Sequence, residues 1–125
     1  MRSCSVVRRV QDGRMHTHEL LLDAARRPQD AAASVLAGIT DETLHALPDG
    51  RGSSIAWLVW HAARQQDVQI AELAAVDQVW VTGDWAARLG VHRGPDALGF
   101  GDAHADVAEL HIADPALLLA YLNDV

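Results

Sequence analysis

The sequence predicts an all-α domain, built as an up-and-down bundle of helices. Three observations predict it. Long stretches carry apolar residues at helical spacing, residue types that favour helix N-termini precede several of them, and the connections suit antiparallel packing. By this pattern the chain holds three substantial helices and two short ones, with no internal repeat. A length of 125 residues fits one domain with a sizeable core.

The first helix follows Thr17, a residue type that caps helix N-termini, and extends through residues 18–39. Pro28 falls in the middle of this stretch and lacks the backbone donor that a helix interior needs. We therefore expect a bend or a break just before it. Thr40 then caps a short helical turn, and the proline and glycines of residues 48–52 predict a loop.

The clearest helix begins after Ser53 or Ser54 and ends near Val76. At about 100° per residue, one arc of this helix is expected to face the core. That arc consists of Ile55, Leu58, Val59, Ala62, Gln66, Gln69, Ile70 and Leu73. A second group lies together on one shoulder of the arc, at Trp57, His61, Gln65 and Val68. The pattern is typical of an amphipathic bundle helix rather than a strand.

The C-terminal part alternates short helices with loops. We expect a short helix around residues 85–89 and a loop over residues 90–101, which hold four glycines. Asp102 is placed to cap the next short helix. Asp114 followed by Pro115 is an N-cap and first-turn pair that opens the last helix, which continues to the end of the sequence.

Composition argues against two classes of partner. The net charge is −7 at pH 7, and the arginines form no basic stripe of the kind that binds nucleic acid phosphates. No apolar stretch approaches the roughly 20 residues that a membrane span needs. We therefore expect neither nucleic acid nor a membrane as a partner.

The N-terminal residues resemble neither a folded element nor an export signal. Residues 1–16 are basic but hold no apolar core of the kind that a secretory signal needs. We expect a disordered leader there, before a domain over residues 17–125. The single cysteine, Cys4, lies in this leader, so the chain can form no internal disulfide. That suits a reducing compartment, and we expect a cytoplasmic protein.

The run SSIAWLVWHAARQQD, with its Trp60-His61 pair followed by Gln66 and Asp67, resembles the second helix of DinB-like proteins. More closely, it is similar to an actinomycete-type branch related to mycothiol S-transferases. The similarity continues upstream in ELLLDAARRP and downstream in QVWVTGDWAARLGV, and it extends from about residue 18 to residue 125.

This resemblance implies a four-helix bundle that holds a divalent metal, zinc or nickel, with three side chains. The first ligand matches His61. The other two come from a His/Glu-x3-His pair on the family's final helix, which has no counterpart before Val125. The resemblance therefore implies a C-terminally truncated bundle without its final helix, with two of three ligands absent and no activity as it stands. Relatives use the metal to activate a thiol such as mycothiol or bacillithiol.

His61 has two interpretations from the residues alone. As a metal ligand it would bind through one ring nitrogen while a neighbour orients the other. Gln65, one turn on, is a hydrogen-bond candidate for that task, and Trp57, one turn back, is a candidate pocket wall. We keep both as candidate cofactor-binding residues. The alternative is a half-buried histidine bonded to a backbone carbonyl.

The remaining histidines form no H-x3-H pair. His104 and His111 would lie about 10.5 Å apart on a continuous helix, too far to share an ion. His45 and His92 fall in turns that we expect to be exposed.

Other polar and aromatic residues have plain structural interpretations. Asp67 faces away from His61 on the helical wheel, so we expect an ion-pair partner at the surface or between helices rather than a ligand. Asp23 can pair with Arg26 or Arg27. The four tryptophans fit core packing, and the alternative is that they form the wall of a pocket.

Two functions are open at this point. The first is a metal-dependent thiol S-transferase with His61 as one ligand. The second is a non-catalytic helical interaction module or remnant without metal. A bundle that lacks one helix leaves an apolar groove, here expected from Leu20, Ile55, Leu58 and Leu118. A second copy of the chain could cover it, so a homo-oligomer is the partner we expect.

Overall fold

The computed structural model describes residues 16–125, and all regular structure in that range is helical. This confirms the prediction of an all-α domain. The leader expected over residues 1–16, with Cys4, lies outside the described residues except for His16. The helices are α1 (Thr17–Leu36), α2 (Asp41–His45), α3 (Ile55–Ala74), α4 (Val79–Thr82), α5 (Trp85–Leu89), α6 (His104–Glu109) and α7 (Pro115–Asp124), with a 3-10 turn at Pro48–Gly50. None of these helices is long and apolar enough to cross a membrane.

Helix α1 continues without interruption past Pro28. The expected break at this proline is therefore wrong, because the helix gives up one backbone hydrogen bond there instead of ending. The expected bend stays a prediction. The N-cap is His16, one residue before the expected one, and its backbone N–H donates to the Glu19 carboxylate at 3.0 Å. Only Ala32 and Leu36 of this helix are buried, so α1 packs on the bundle through its C-terminal half.

Helix α3 has close to the predicted extent but a different inner face. It begins at Ile55 after the predicted cap, and the Ser54 hydroxyl accepts from the backbone N–H of Trp57 at 3.1 Å. The arc expected to face the core lies largely outside, since Leu58 is 51% and Leu73 89% exposed. The residues that α3 buries are Ala56, Trp60, Ala63, Arg64, Asp67 and Ala71.

A buried ion pair explains why the predicted arc is wrong. Arg64 and Asp67 are 0% and 2% exposed, and Arg64 Nη1 lies 3.1 Å from Asp67 Oδ2. The apolar spacing leaves both residues out of the expected arc, whereas the folded helix turns them towards the core. Ala62 and Ile70 of that arc are consequently exposed.

The Asp67 carboxylate joins three helices. Its Oδ2 accepts from the Tyr121 hydroxyl on α7 and from the backbone N–H of Trp80 on α4, both at 2.8 Å. Its Oδ1 accepts from the N–H of Val79 at 2.8 Å. These two amides belong to the first turn of α4, where no intrahelical acceptor is available, so Asp67 caps that helix. Burial raises the pKa of the Tyr121 phenol, which therefore stays protonated and donates.

Aromatic rings pack around this network. The Trp80 ring meets Trp60 and Tyr121 edge-on, with centroids 6.3 and 5.2 Å apart, and the Trp85 ring lies 5.4 Å from Tyr121. Trp60, Trp80 and Trp85 are each at most 2% exposed. Three of the four tryptophans are therefore core residues, and such ring pairs contribute about 1 kcal/mol each beyond the area they bury.

Helix α7 starts as predicted. Pro115 is its first residue, and the Asp114 carboxylate accepts from the backbone N–H of Ala116 at 2.8 Å. Leu118 and Leu122 are 0% and 1% exposed, so this helix contributes fully buried apolar residues to the core.

An apolar groove opens between α1, α3 and α7. Of the residues expected to form it, Ile55 and Leu58 line it, whereas Leu118 is fully buried and Leu20 is exposed elsewhere on α1. The groove has a volume of about 350 Å³ and is lined by Pro28, Ala31, Ala32, Val35, Ile55, Leu58, Val59, Ala62 and Leu122. No charged residue contributes to this lining.

We expect Asp67→Asn to lower the free energy of unfolding by about 3 kcal/mol or more. The substitution keeps the shape of the side chain but leaves Arg64 as an uncompensated charge in the core. Urea unfolding measures the loss. The matched control is Asp77→Asn, at an exposed position before α4, which should change the stability by less than about 0.5 kcal/mol. Equal losses in the two variants would contradict the role given to Asp67.

Candidate functional site

His61 lies on the partly buried shoulder of α3, one turn after Trp57. Its Nδ1 is 2.5 Å from the carbonyl oxygen of Leu98. A carbonyl oxygen can only accept, so Nδ1 carries the proton and donates. The lone pair of the neutral ring is then on Nε2, and no hydrogen bond within residues 16–125 engages that nitrogen.

Trp57 covers one face of the His61 ring. The two rings are stacked with centroids 4.5 Å apart and an angle of 17° between their planes. Trp57 is itself held, because its Nε1 donates to Asp102 Oδ2 at 2.8 Å and Arg93 Nη1 donates to the same oxygen at 2.6 Å. The tryptophan that lies outside the core therefore fixes the plane of the imidazole.

Asp102 belongs to this cluster rather than to the next helix. The expectation that it caps α6 is wrong, because Ala103 is the N-cap residue and the Asp106 carboxylate accepts its backbone N–H at 2.8 Å. Burial acts to raise the pKa of Asp102, but the hydrogen bonds from Arg93 and Trp57 and the charge of Arg93 outweigh it. The pKa therefore lies below its ordinary value, and the carboxylate is ionised at neutral pH.

The loop carbonyl can approach His61 because the residue after Leu98 is a glycine. Gly99 has a φ of +86°, a conformation that side chains with a Cβ rarely adopt. A Cβ at this position would lie 2.9 Å from His61 Nδ1 and 3.1 Å from the Trp57 ring. Both the backbone angle and the contact distances therefore require glycine here.

Gln65, the other candidate on the shoulder, has no hydrogen bond to His61 among the described residues. Its side-chain oxygen accepts instead from Gln69 Nε2 at 3.4 Å. Gln65 is partly buried, as are Trp57 and His61, in agreement with the expected shoulder. A role for Gln65 in holding a ligand stays a prediction.

A second group of candidate ligands, which the sequence did not predict, lies elsewhere in the fold. Ligand atoms of Asp41, His45 and His111 lie within 4.8 Å of one another. The side chain of His45, expected in an exposed turn, is only 17% exposed. Its spacing of four residues from Asp41 on α2 is the one signal that could have indicated the group. Nothing in the sequence indicates that His111, which lies in the connection between α6 and α7, would join this group.

In the folded chain the hydrogen bonds of His45 connect α2 to the segment after α6. His45 Nε2 accepts from the backbone N–H of Ile112 at 3.0 Å, and its Nδ1 lies 2.9 Å from the Asp41 carbonyl oxygen, so both ring nitrogens are engaged. The rings of His45 and His111 are parallel within 7°, with centroids 4.3 Å apart. Imidazole lone pairs lie in the ring plane, so these two do not converge on one ion. A metal would require His111, which is 63% exposed, to turn.

Other charged residues have the structural roles expected of them. Asp67 is an ion-pair partner, as expected, but the pair is buried and its partner Arg64 lies on the same helix rather than at the surface or on another helix. Asp23 pairs with Arg27 at 2.6 Å on the exposed side of α1. His92 is exposed, as expected from its place in a loop.

The contacts of His61 are those of a partly buried histidine bonded to a backbone carbonyl, and they are also compatible with a metal ligand. Metal-binding histidines offer one ring nitrogen to the ion while the other donates to a fixed acceptor. The Leu98 carbonyl supplies that acceptor. The three-residue group that residues 16–125 bring together does not include His61. A role for His61 as a metal ligand therefore stays a prediction, and the described residues do not place two more ligands beside it.

Comparison with known proteins places the chain in a family. The family model of the DinB superfamily matches residues 21–125. No curated protein matches. Among solved structures the chain is similar to a protein described as the conserved protein of locus from Enterococcus faecalis, with a TM-score of 0.77 and 24% identity over 88% of this chain and 65% of that one. That likeness shows a shared fold, and this chain spans 65% of the length of that protein. Because the family match extends over most of its length, the chain belongs to the DinB superfamily.

Proposed function

We propose that this chain contributes His61 to the metal centre of an S-transferase that uses a low-molecular-weight thiol of the mycothiol type. Membership of the DinB superfamily, which includes metal-dependent enzymes, supports the general class. The observation that carries the proposal is the hydrogen bond from His61 Nδ1 to the Leu98 carbonyl, which leaves the Nε2 lone pair for an ion.

Two contacts prepare His61 for this task. The bond to Leu98 selects one tautomer, and the stack on Trp57 selects one plane for the ring. The His61 imidazole would then already be ordered before an ion binds, so less conformational entropy of this side chain would be lost on binding.

A bound zinc or nickel ion would lower the pKa of a coordinated thiol and so make the thiolate available at neutral pH. The chain's own residues orient the imidazole and shield one of its faces. The further ligands are proposed to come from outside residues 16–125 or from a second copy. The described residues alone are then expected to hold an ion weakly and to be inactive.

The surroundings of the proposed reaction follow from its chemistry. A free thiol persists in a reducing compartment, and we propose the cytoplasm as the location. The net charge of −7 favours a small-molecule substrate over nucleic acid.

Cobalt(II) in place of zinc tests the proposal, because a thiolate that binds cobalt produces an absorption band. We expect the 125-residue chain, purified without a histidine tag, to add to the band that cobalt and mycothiol give without protein, with a weak apparent affinity. His61→Ala should weaken the apparent cobalt affinity about tenfold or more. His92→Ala removes an exposed histidine and should leave the affinity unchanged. A band of equal strength and affinity in His61→Ala would remove His61 from the metal centre.

The apolar groove favours a second candidate function, an interaction module that is not itself catalytic. We propose that a second copy of this chain covers the groove between α1, α3 and α7. Its lining is apolar throughout, so it offers no charge by which to select a charged partner. Every copy presents the same groove, and a self-complementary contact about a two-fold axis buries both at once.

Light scattering across a concentration series tests this interface. We expect a dimer for the unmodified chain and a monomer for Leu58→Gln, because the amide places an unsatisfied polar group in the buried groove. Leu73→Gln is the matched control, since Leu73 is on the same helix, is 89% exposed and does not line the groove. This control should remain a dimer. An unmodified chain that is monomeric at about 100 µM, or a dimer that persists in Leu58→Gln, excludes the interface at this groove.

A further inference from the structure

Arg64 connects the core network to the loop that holds His61. Its side chain is 0% exposed. On one side, Nη1 donates to Asp67 Oδ2 and to the Tyr121 hydroxyl, each at 3.1 Å. On the other side, Nη2 donates to the Pro95 carbonyl at 2.6 Å, and Nε donates to the Ala97 carbonyl at 3.5 Å.

The segment formed by residues 95–98 receives two side chains of α3. Two of its carbonyls accept from Arg64, and the Leu98 carbonyl accepts from His61. His61 and Arg64 are three residues apart, so they project from neighbouring positions on one side of the helix. The place of the Leu98 carbonyl relative to His61 therefore depends on the bonds that Arg64 makes to the same short segment.

We propose that Arg64 is a positioning residue for His61. By holding segment 95–98, it places the Leu98 carbonyl against Nδ1 of His61 and so keeps the proton off Nε2. What binds Nε2 rests on the function proposed above, but the position of the proton depends on no ligand. A neutral histidine without a fixed acceptor distributes its proton over both ring nitrogens.

The chemistry of arginine suits this task. A planar guanidinium presents five donors in a fixed fork, so it can reach a carboxylate on one side and backbone carbonyls on the other at the same time. The pairing with Asp67 uses only Nη1. If Arg64 were only a counterion for Asp67, its bonds from Nη2 and Nε to segment 95–98 would have no effect on His61.

Arg64→Lys separates the two roles, because lysine keeps a positive charge beside Asp67 but its single ammonium cannot span both sides. Nitrogen NMR of the imidazole rings, at a pH where they are neutral, reports the tautomer. We expect the unmodified chain to show His61 protonated on Nδ1, and Arg64→Lys to shift both ring nitrogens towards a mixture of tautomers. Its cobalt affinity should fall about tenfold.

Tyr121→Phe is the matched control. It removes a partner of Asp67 and Arg64 on the core side and lowers stability without touching segment 95–98. Its His61 tautomer should remain that of the unmodified chain. If Arg64→Lys does not fold, Arg64→Gln combined with Asp67→Asn takes its place, since this pair leaves no unpaired charge in the core. The same tautomer mixture is expected from it.

A tautomer unchanged by loss of the arginine fork overturns the positioning role, as does an equal change in Tyr121→Phe. The proposed function fails in a different way. If the tautomer changes in Arg64→Lys but even the unmodified chain shows no cobalt binding at His61, the positioning role stands and the metal centre does not. If the tautomer does not change in Arg64→Lys while cobalt still binds at His61, the metal centre stands and the positioning role does not.

Discussion

The Asp67 carboxylate, 2% exposed, accepts hydrogen bonds from Arg64, from Tyr121 and from two backbone amides of α4. A buried charge is tolerated only when it is paired and its lone pairs are used, because desolvation otherwise costs several kcal/mol. Helices α3, α4 and α7 must therefore be placed so that their hydrogen-bond donors all reach this one carboxylate. The guanidinium that neutralises it reaches onward to segment 95–98, so the core and the surroundings of His61 share one charged network.

Local signals were enough to predict where α3 and α7 begin, whereas the N-caps of α1 and α6 each lie one residue from the expected position. Ser54 and the Asp114-Pro115 pair cap α3 and α7 as expected, because capping depends on residues within one turn. The inner face of α3 could not be predicted in the same way. The spacing of apolar residues places Leu58 and Leu73 in the core. Burying Arg64 and Asp67 is favourable only with distant partners, such as the Gln78 side chain 14 residues after Arg64 and the Tyr121 hydroxyl 54 residues after Asp67.

His61 could be singled out from the sequence, and its two interpretations turn out to be compatible. The bond to a backbone carbonyl that describes an ordinary partly buried histidine is also compatible with the metal ligand that we propose. The acceptor itself could not be predicted, because it is the backbone of Leu98, 37 residues away, and a carbonyl leaves no signature in the sequence. The side-chain contacts of Asp102 could not be predicted either, since its partners Trp57 and Arg93 come together only in the folded chain.

The most direct measurement of this network is a double-mutant cycle between Arg64 and Asp67. The free energy of unfolding is measured in urea for Arg64→Gln, Asp67→Asn, the combined variant and the unmodified chain. Each single change leaves one charge unpaired in the core, whereas the combined change leaves none. We expect the combined variant to be more stable than the sum of the single losses predicts, by about 2 kcal/mol or more. Losses that add to within about 0.5 kcal/mol would show that the two residues do not depend on each other, and would contradict the central role of the Asp67 carboxylate.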